Sequence, residues 1–197
     1  MVEYKRVNIF SKEDFRSWLQ KNHDKEKIVQ LLIHKKHTGK SSPSHRELLE
    51  EGICFGWIDT IIKRIDEDTF IRTFQRRTEK SNWSVNTLSY AKQLVKDGKM
   101  TSHGLKFYHE GRKKKAFDHG IPKNPEVQED LKKELQKNKS ARENFDKFAP
   151  SYRGAYLRWI EYAKTPETRK KRIDSVVKRM SEGKKMPWET SKPLKAE

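Results

Sequence analysis

The sequence predicts an α+β fold: a small N-terminal helix and β-hairpin sheet unit, followed by a helical C-terminal unit. Three observations carry that expectation. Ile28 to His34 is a run rich in β-branched residues. The stretches 57–65 and 70–77 alternate in polarity around Asp66-Glu67-Asp68-Thr69, as a β-hairpin does. From residue 84 onward the apolar residues recur at helical spacing between capping residues and breakers.

Element by element, Ser11 caps a short helix whose Phe15, Trp18 and Leu19 share one face. The run 28–34 reads as a largely buried strand, and the loop through Thr38-Gly39-Lys40-Ser41-Ser42-Pro43 is turn chemistry. Ser44 and Glu47 stand at capping-box spacing before Leu48, Leu49 and Ile53. In the hairpin, Phe70, Arg72, Phe74 and Arg76 fall on one face.

Ser84 opens a helix through Leu88, Ala91 and Leu94 that Gly98 ends. Thr101 opens another, carrying Leu105 and Tyr108 and broken at His119-Gly120-Ile121-Pro122. Pro125 suits a first helical position ahead of Val127, Leu131 and Leu135. Ser140 and Glu143 repeat the capping-box spacing before Phe145 and Phe148. Ser151 starts an amphipathic helix with Tyr152, Tyr156, Trp159, Ile160 and Ala163. Thr165-Pro166-Glu167 caps the last helix, with Ile173, Val176, Val177 and Met180 as its stripe. The expected organisation is therefore an α+β unit over 1–83, a helical unit over 84–183 and a flexible tail over 184–197. Some of the short helices after residue 84 are expected to dock on the first unit.

Composition narrows the function classes. Of 197 residues 32% are hydrophobic and 37% are charged, so apolar residues must be concentrated on amphipathic faces. Cys54 is the single cysteine, which rules out an intrachain disulfide. No stretch approaches the roughly 20 apolar residues that span a bilayer, and the first residues lack a secretory apolar run. The expected location is the cytoplasm. The net charge of +17 is unevenly spread, with 20 basic and 14 acidic residues up to position 100 and 25 and 14 after it. Such a field attracts an anionic ligand, nucleic acid or an acidic protein.

The residues with chemical potential cluster in one segment, Cys54-Phe55-Gly56-Trp57-Ile58-Asp59. Cys54 at a helix end is either a nucleophile or, more commonly, a small core residue. Asp59 beside Trp57 on the hairpin needs a donor if buried; Arg77, Ser81, Trp83 and Asn86 are candidates. Arg77, with the amides at the Ser84 helix start, forms a candidate anion clamp. The candidate ligand-binding set is thus Cys54, Trp57, Asp59, Arg77, Ser81, Trp83, Ser84 and Asn86. A buried polar clasp is the structural alternative. Two basic runs, Arg112-Lys113-Lys114-Lys115 and Arg169-Lys170-Lys171-Arg172, are candidate nucleic-acid contacts or solvated helix faces. No metal site or cofactor is expected: His34-x-x-His37 lacks further ligands, and Gly39-Lys40-Ser41 lacks the upstream glycine of a phosphate loop.

Four motifs in order, Cys54-Phe55-Gly56-Trp57-Ile58-Asp59, Ser81-Asn82-Trp83-Ser84-x-Asn86, Gly98-Lys99-Met100 and Tyr156-Leu157-Arg158-Trp159-Ile160 with Thr168-Arg169-x-x-Arg172-Ile173, make the chain resemble the YdeI/OmpD-associated, or bacteriocin-protection, family. The resemblance spans roughly residues 10 to 185. Thr60 stands where that family commonly has glycine, and Arg76 where proline often precedes the arginine. The resemblance implies a role in tolerance of bacteriocins or cationic antimicrobial peptides and an association with the envelope, and it supplies no catalytic residues. A non-enzymatic binding protein is the leading expectation. Nonspecific nucleic-acid binding and a small-molecule enzyme or sensor around Trp57, Asp59 and Arg77 are the alternatives.

Overall fold

A computed structural model describes residues 4–183, and the tail expected over 184–197 lies outside the described residues. The chain divides into two compact units, Met1–His119 and Gly120–Glu197. The division lies at His119 and not after Trp83. The helices at 85–96 and 102–112 belong with the sheet because their few apolar residues, Ala91, Leu94 and Tyr108, are buried in the first unit's core.

In the first unit β1 (Arg6–Asn8), β2 (Ile28–His34), β3 (Trp57–Arg64) and β4 (Thr69–Arg76) form a sheet of order β1-β2-β4-β3. β1 pairs parallel to β2; the other pairings are antiparallel. β1 carries only three residues, too few to leave a periodic trace in the sequence. The same brevity hides a single 3-10 turn at Lys36–Thr38. β2 is buried on one face only: Val29, Leu31 and Ile33 point inward and their neighbours are half-exposed. The hairpin has its turn as expected, with Asp66 Oδ1 accepting from the Asp68 and Thr69 amides.

Four helices complete the unit: α1 (Lys12–Asn22), α2 (His45–Cys54), α3 (Val85–Lys96) and α4 (Ser102–Arg112). Ser11 and Ser44 make full capping boxes with Asp14 and Glu47, each stabilising its helix by about 1 kcal/mol. Ser84 and Thr101 cap α3 and α4, and Gly98 leaves α3 at φ +65°. Phe15, Trp18 and Leu19 of α1 join Leu48 and Ile53 of α2 over Leu31, Phe74 and Trp57 of the sheet.

Among the described residues the second unit contains α5 (Glu129–Gln136), α6 (Lys139–Lys147), α7 (Pro150–Glu161) and α8 (Pro166–Ser181). α8 contacts each of the other three. Its Ile173, Val176 and Met180 meet Leu131, Leu135, Phe145, Tyr156 and Ile160 in a separate core. Pro125 does not open a helix; α5 begins at Glu129, where two carboxylates occupy the positively polarised first turn. The cap of α6 is Asn138, whose side chain accepts from the Ala141 amide, and Ser140 lies inside the helix. α7 begins at Pro150, one residue before Ser151.

Candidate functional site

The segment 54–59 forms a joint. α2 ends at Cys54, and Gly56 turns the chain into β3 at φ +72°, a conformation that side chains other than glycine adopt at a cost. α4 closes over that turn. The Thr101 amide and hydroxyl both donate to the Cys54 carbonyl, at 3.0 and 2.7 Å. A Cβ on Gly104 would fall 2.7 Å from the Cys54 carbonyl carbon and closer still to its oxygen. One on Gly111 would sit 2.5 Å from Trp83. Glycines seven residues apart thus let α4 approach backbone at one end and an indole at the other.

Cys54 is sealed in this joint. Burial pushes its thiol up to about 11, with the nearby Glu51 acting in the same direction and Arg16 opposing. The thiol is therefore protonated at neutral pH, and the nucleophilic reading loses its support. Trp57 is 0% exposed; it stands edge-on to Trp18 at 5.6 Å and donates its indole N–H to the His23 carbonyl. It is part of the hydrophobic core.

Asp59 has different partners from those its sequence neighbours suggest. Its Oδ2 accepts from Arg72 Nη1 and lies against His45 Nε2, both at 2.9 Å. Burial pushes this carboxyl up, but His45 and Arg72 outweigh burial and hold it below the usual carboxylate range. Both partners carry a signal in the sequence. Arg72 is a charge on the otherwise apolar Phe70-x-Arg72-x-Phe74 face, and His45 stands at the start of the helix preceding the joint. A β-bulge between Asp59 and Ile61 falls beside Asp59 in the pairing of β3 with β4.

Arg77 is 2% exposed. Its amide donates to the Gly56 carbonyl, its Nη1 donates to the Asn82 carbonyl at 3.1 Å, and its guanidinium stacks 3.6 Å over Trp83. Desolvated stacking of this kind contributes about 2 kcal/mol. Nε and Nη2 are buried without a hydrogen-bond partner among the described residues. Burial lowers the guanidinium to about 9 while the Asp59 charge supports it, so it stays ionised at neutral pH.

The remaining candidates separate. The Ser81 hydroxyl accepts from the Thr78 amide, and Ser84 caps Thr87. The first amide of α3, that of Val85, donates to Asp118 Oδ1 at 2.8 Å, so the helix start already holds a carboxylate of the protein itself. Asn86 is exposed on α3. Of the basic runs, Arg112 to Lys115 is exposed throughout. The other is half consumed: Arg169 bridges Asp130 and Glu161, and Arg172 Nη1 donates to the Trp159 carbonyl, leaving Lys170 and Lys171 exposed. Among the described residues no group of three potential ligands is arranged to hold a metal ion, and no helix is long and apolar enough to cross a membrane.

A family model described as Domain of unknown function (DUF8412) matches residues 7–107, just over half of the chain. The chain belongs to this family. A second model, described as Bacteriocin-protection, YdeI or OmpD-Associated, matches residues 124–183. The YdeI/OmpD-associated domain therefore corresponds to the second unit and contains the Tyr156 to Ile173 motif. The joint at 54–59, the Ser81 to Asn86 motif and Gly98-Lys99-Met100 lie within the first match. No curated protein and no solved structure matches the chain.

Proposed function

We propose that this is a non-enzymatic binding protein that contributes to tolerance of bacteriocins or cationic antimicrobial peptides. The observation that carries the reading is the YdeI/OmpD-associated domain at 124–183. The geometry of the first unit supports binding over catalysis: the thiol is protonated and sealed, Trp57 is core, and Asp59 is tied to Arg72 and His45. With a charge of +17 the protein repels cationic peptides, so its target is anionic and the protection indirect. In this reading the protein works in the cytoplasm, where fractionation should find it. Deleting the gene should lower the dose of a cationic peptide that halts growth at least severalfold, with restoration by the full chain. Equal survival of deletion and parent strains across a peptide panel would refute the reading.

A second reading, nonspecific nucleic-acid binding, is favoured by the four consecutive exposed cations at Arg112 to Lys115. It requires that affinity for duplex DNA or RNA fall steeply as salt rises, by close to one unit of log–log slope per phosphate neutralised. Replacing Arg112 and Lys115 with alanine should make that slope shallower. Absence of any gel retardation at low salt would dispose of it.

A further inference from the structure

An open groove of about 500 Å³ lies at one end of the β3–β4 pair, beneath the loop that joins β4 to α3. Its volume is within the range of small-molecule sites, about 300–1,000 Å³. Thr60, Gln75, Thr78, Lys80, Ser81 and Asn82 line it, and no carboxylate does. Lys80 is exposed. Phe117, an exposed residue, borders the groove beside the hydroxyls and amides.

A second, independent feature belongs to the same loop. Asn82, which lines the groove, accepts a hydrogen bond from Arg77 through its carbonyl. Behind it sits a buried guanidinium with two nitrogens unpartnered among the described residues. The carboxylate that supports that guanidinium, Asp59, is already shared by Arg72 and His45. Positive charge in this corner therefore exceeds negative charge, in surroundings where water screens poorly. A buried cation without its counterion is expensive, and an anion placed beside it relieves that expense.

We propose that this groove binds a small phosphorylated sugar. Its anionic group sits by Lys80, Ser81 and Asn82, with the buried Arg77 guanidinium one hydrogen bond behind Asn82, and its hydroxylated ring meets Thr60 and Gln75 with a CH face toward Phe117. Each part of the ligand answers one kind of residue. The phosphate takes the cation excess, the hydroxyls take the amides and hydroxyls, and the apolar ring face takes the phenyl group. The site is independent of the tolerance role, since it lies in the first unit and is read without reference to the matched second domain.

Calorimetric titration of the full chain tests it, using glucose 6-phosphate, glucose and inorganic phosphate as probes at physiological salt. Glucose 6-phosphate should bind with a 1:1 stoichiometry, at least tenfold more tightly than inorganic phosphate, and glucose should give no measurable binding. Lys80→Ala and Gln75→Ala, both at solvent-accessible positions that leave the core intact, should each weaken glucose 6-phosphate binding tenfold or more. Lys170→Ala, a change on the second unit, should leave it unchanged. Amide resonances of Thr78 to Asn82 should shift on titration. No heat with glucose 6-phosphate, equal affinity for inorganic phosphate, or undiminished binding by Lys80→Ala would each overturn the assignment, the last by showing that the anion binds elsewhere on a basic surface.

Discussion

Gly104→Ala is expected to destabilise the first unit by about 2 kcal/mol or more, although alanine is the better helix former by about 1 kcal/mol. The reason is geometric. The added methyl would fall 2.9 Å from the Ile53 carbonyl oxygen and closer still to the Cys54 carbonyl, and backbone cannot rotate out of the way as a side chain can. To make room, α4 must withdraw from the turn, which lengthens both bonds from Thr101 to the Cys54 carbonyl. Gly154→Ala in α7 is the matched control. Its methyl would meet only the Arg158 Nη1 atom, at 3.3 Å, at the end of a flexible side chain. There the propensity gain should survive, and the second unit should be unchanged or more stable by up to about 1 kcal/mol. Hydrogen exchange under mild denaturant, read separately for residues of each unit, measures both. An unchanged free energy of opening across the first unit in Gly104→Ala would refute the joint as described.

The joint also shows what a sequence can and cannot disclose. Helix starts are legible because a hydroxyl stands just ahead of a run with helical apolar spacing: Ser11, Ser44, Ser84, Thr101 and Thr165 all cap where the sequence places them. The hairpin is legible because alternation and an aspartate-rich turn are local. Pro125 and Ser140 mislead for the same reason, since they satisfy a local pattern while the chain uses Gln128 and Asn138 instead. Long-range pairings leave weaker traces. That Asp59 meets Arg72 and His45, while Arg77 stacks on Trp83, depends on strand register and on where a bulge falls. The role of Gly104 and Gly111 was readable only as two glycines seven apart on a helix; their neighbours, Cys54 and Trp83, come from other elements. Arg77 and Trp83 were both identifiable as candidates, but not that burial would leave the guanidinium short of a counterion.

That shortage makes Asp59 the charge on which the hairpin depends, and Asp59→Asn should destabilise the first unit by about 2–3 kcal/mol at pH 7. The asparagine keeps the shape but leaves the buried Arg72 guanidinium without its carboxylate and removes a negative charge that supports Arg77. Arg77→Met should cost less, within about 1 kcal/mol of the parent: it loses the stack on Trp83 and the bond to Asn82 but removes a buried charge that lacks a full partner. The double variant should be more stable than the sum of the two changes predicts, because without Arg77 one of the cations that needs Asp59 is gone. The pH dependence follows from the carboxyl's depressed position. A carboxyl held lower in the folded chain than its unfolded value of about 4 stabilises the fold above that pH, and the contribution disappears as pH falls through the folded value. The parent's advantage over Asp59→Asn should therefore hold from pH 6 down to about pH 4 and shrink as the solution is taken on to pH 3, about one unit below the unfolded value. Denaturant midpoints of the four proteins across that range decide the matter. A parent–variant gap that is constant with pH, or an Arg77→Met change larger than that of Asp59→Asn, would show that Asp59 is not what balances the two buried guanidiniums.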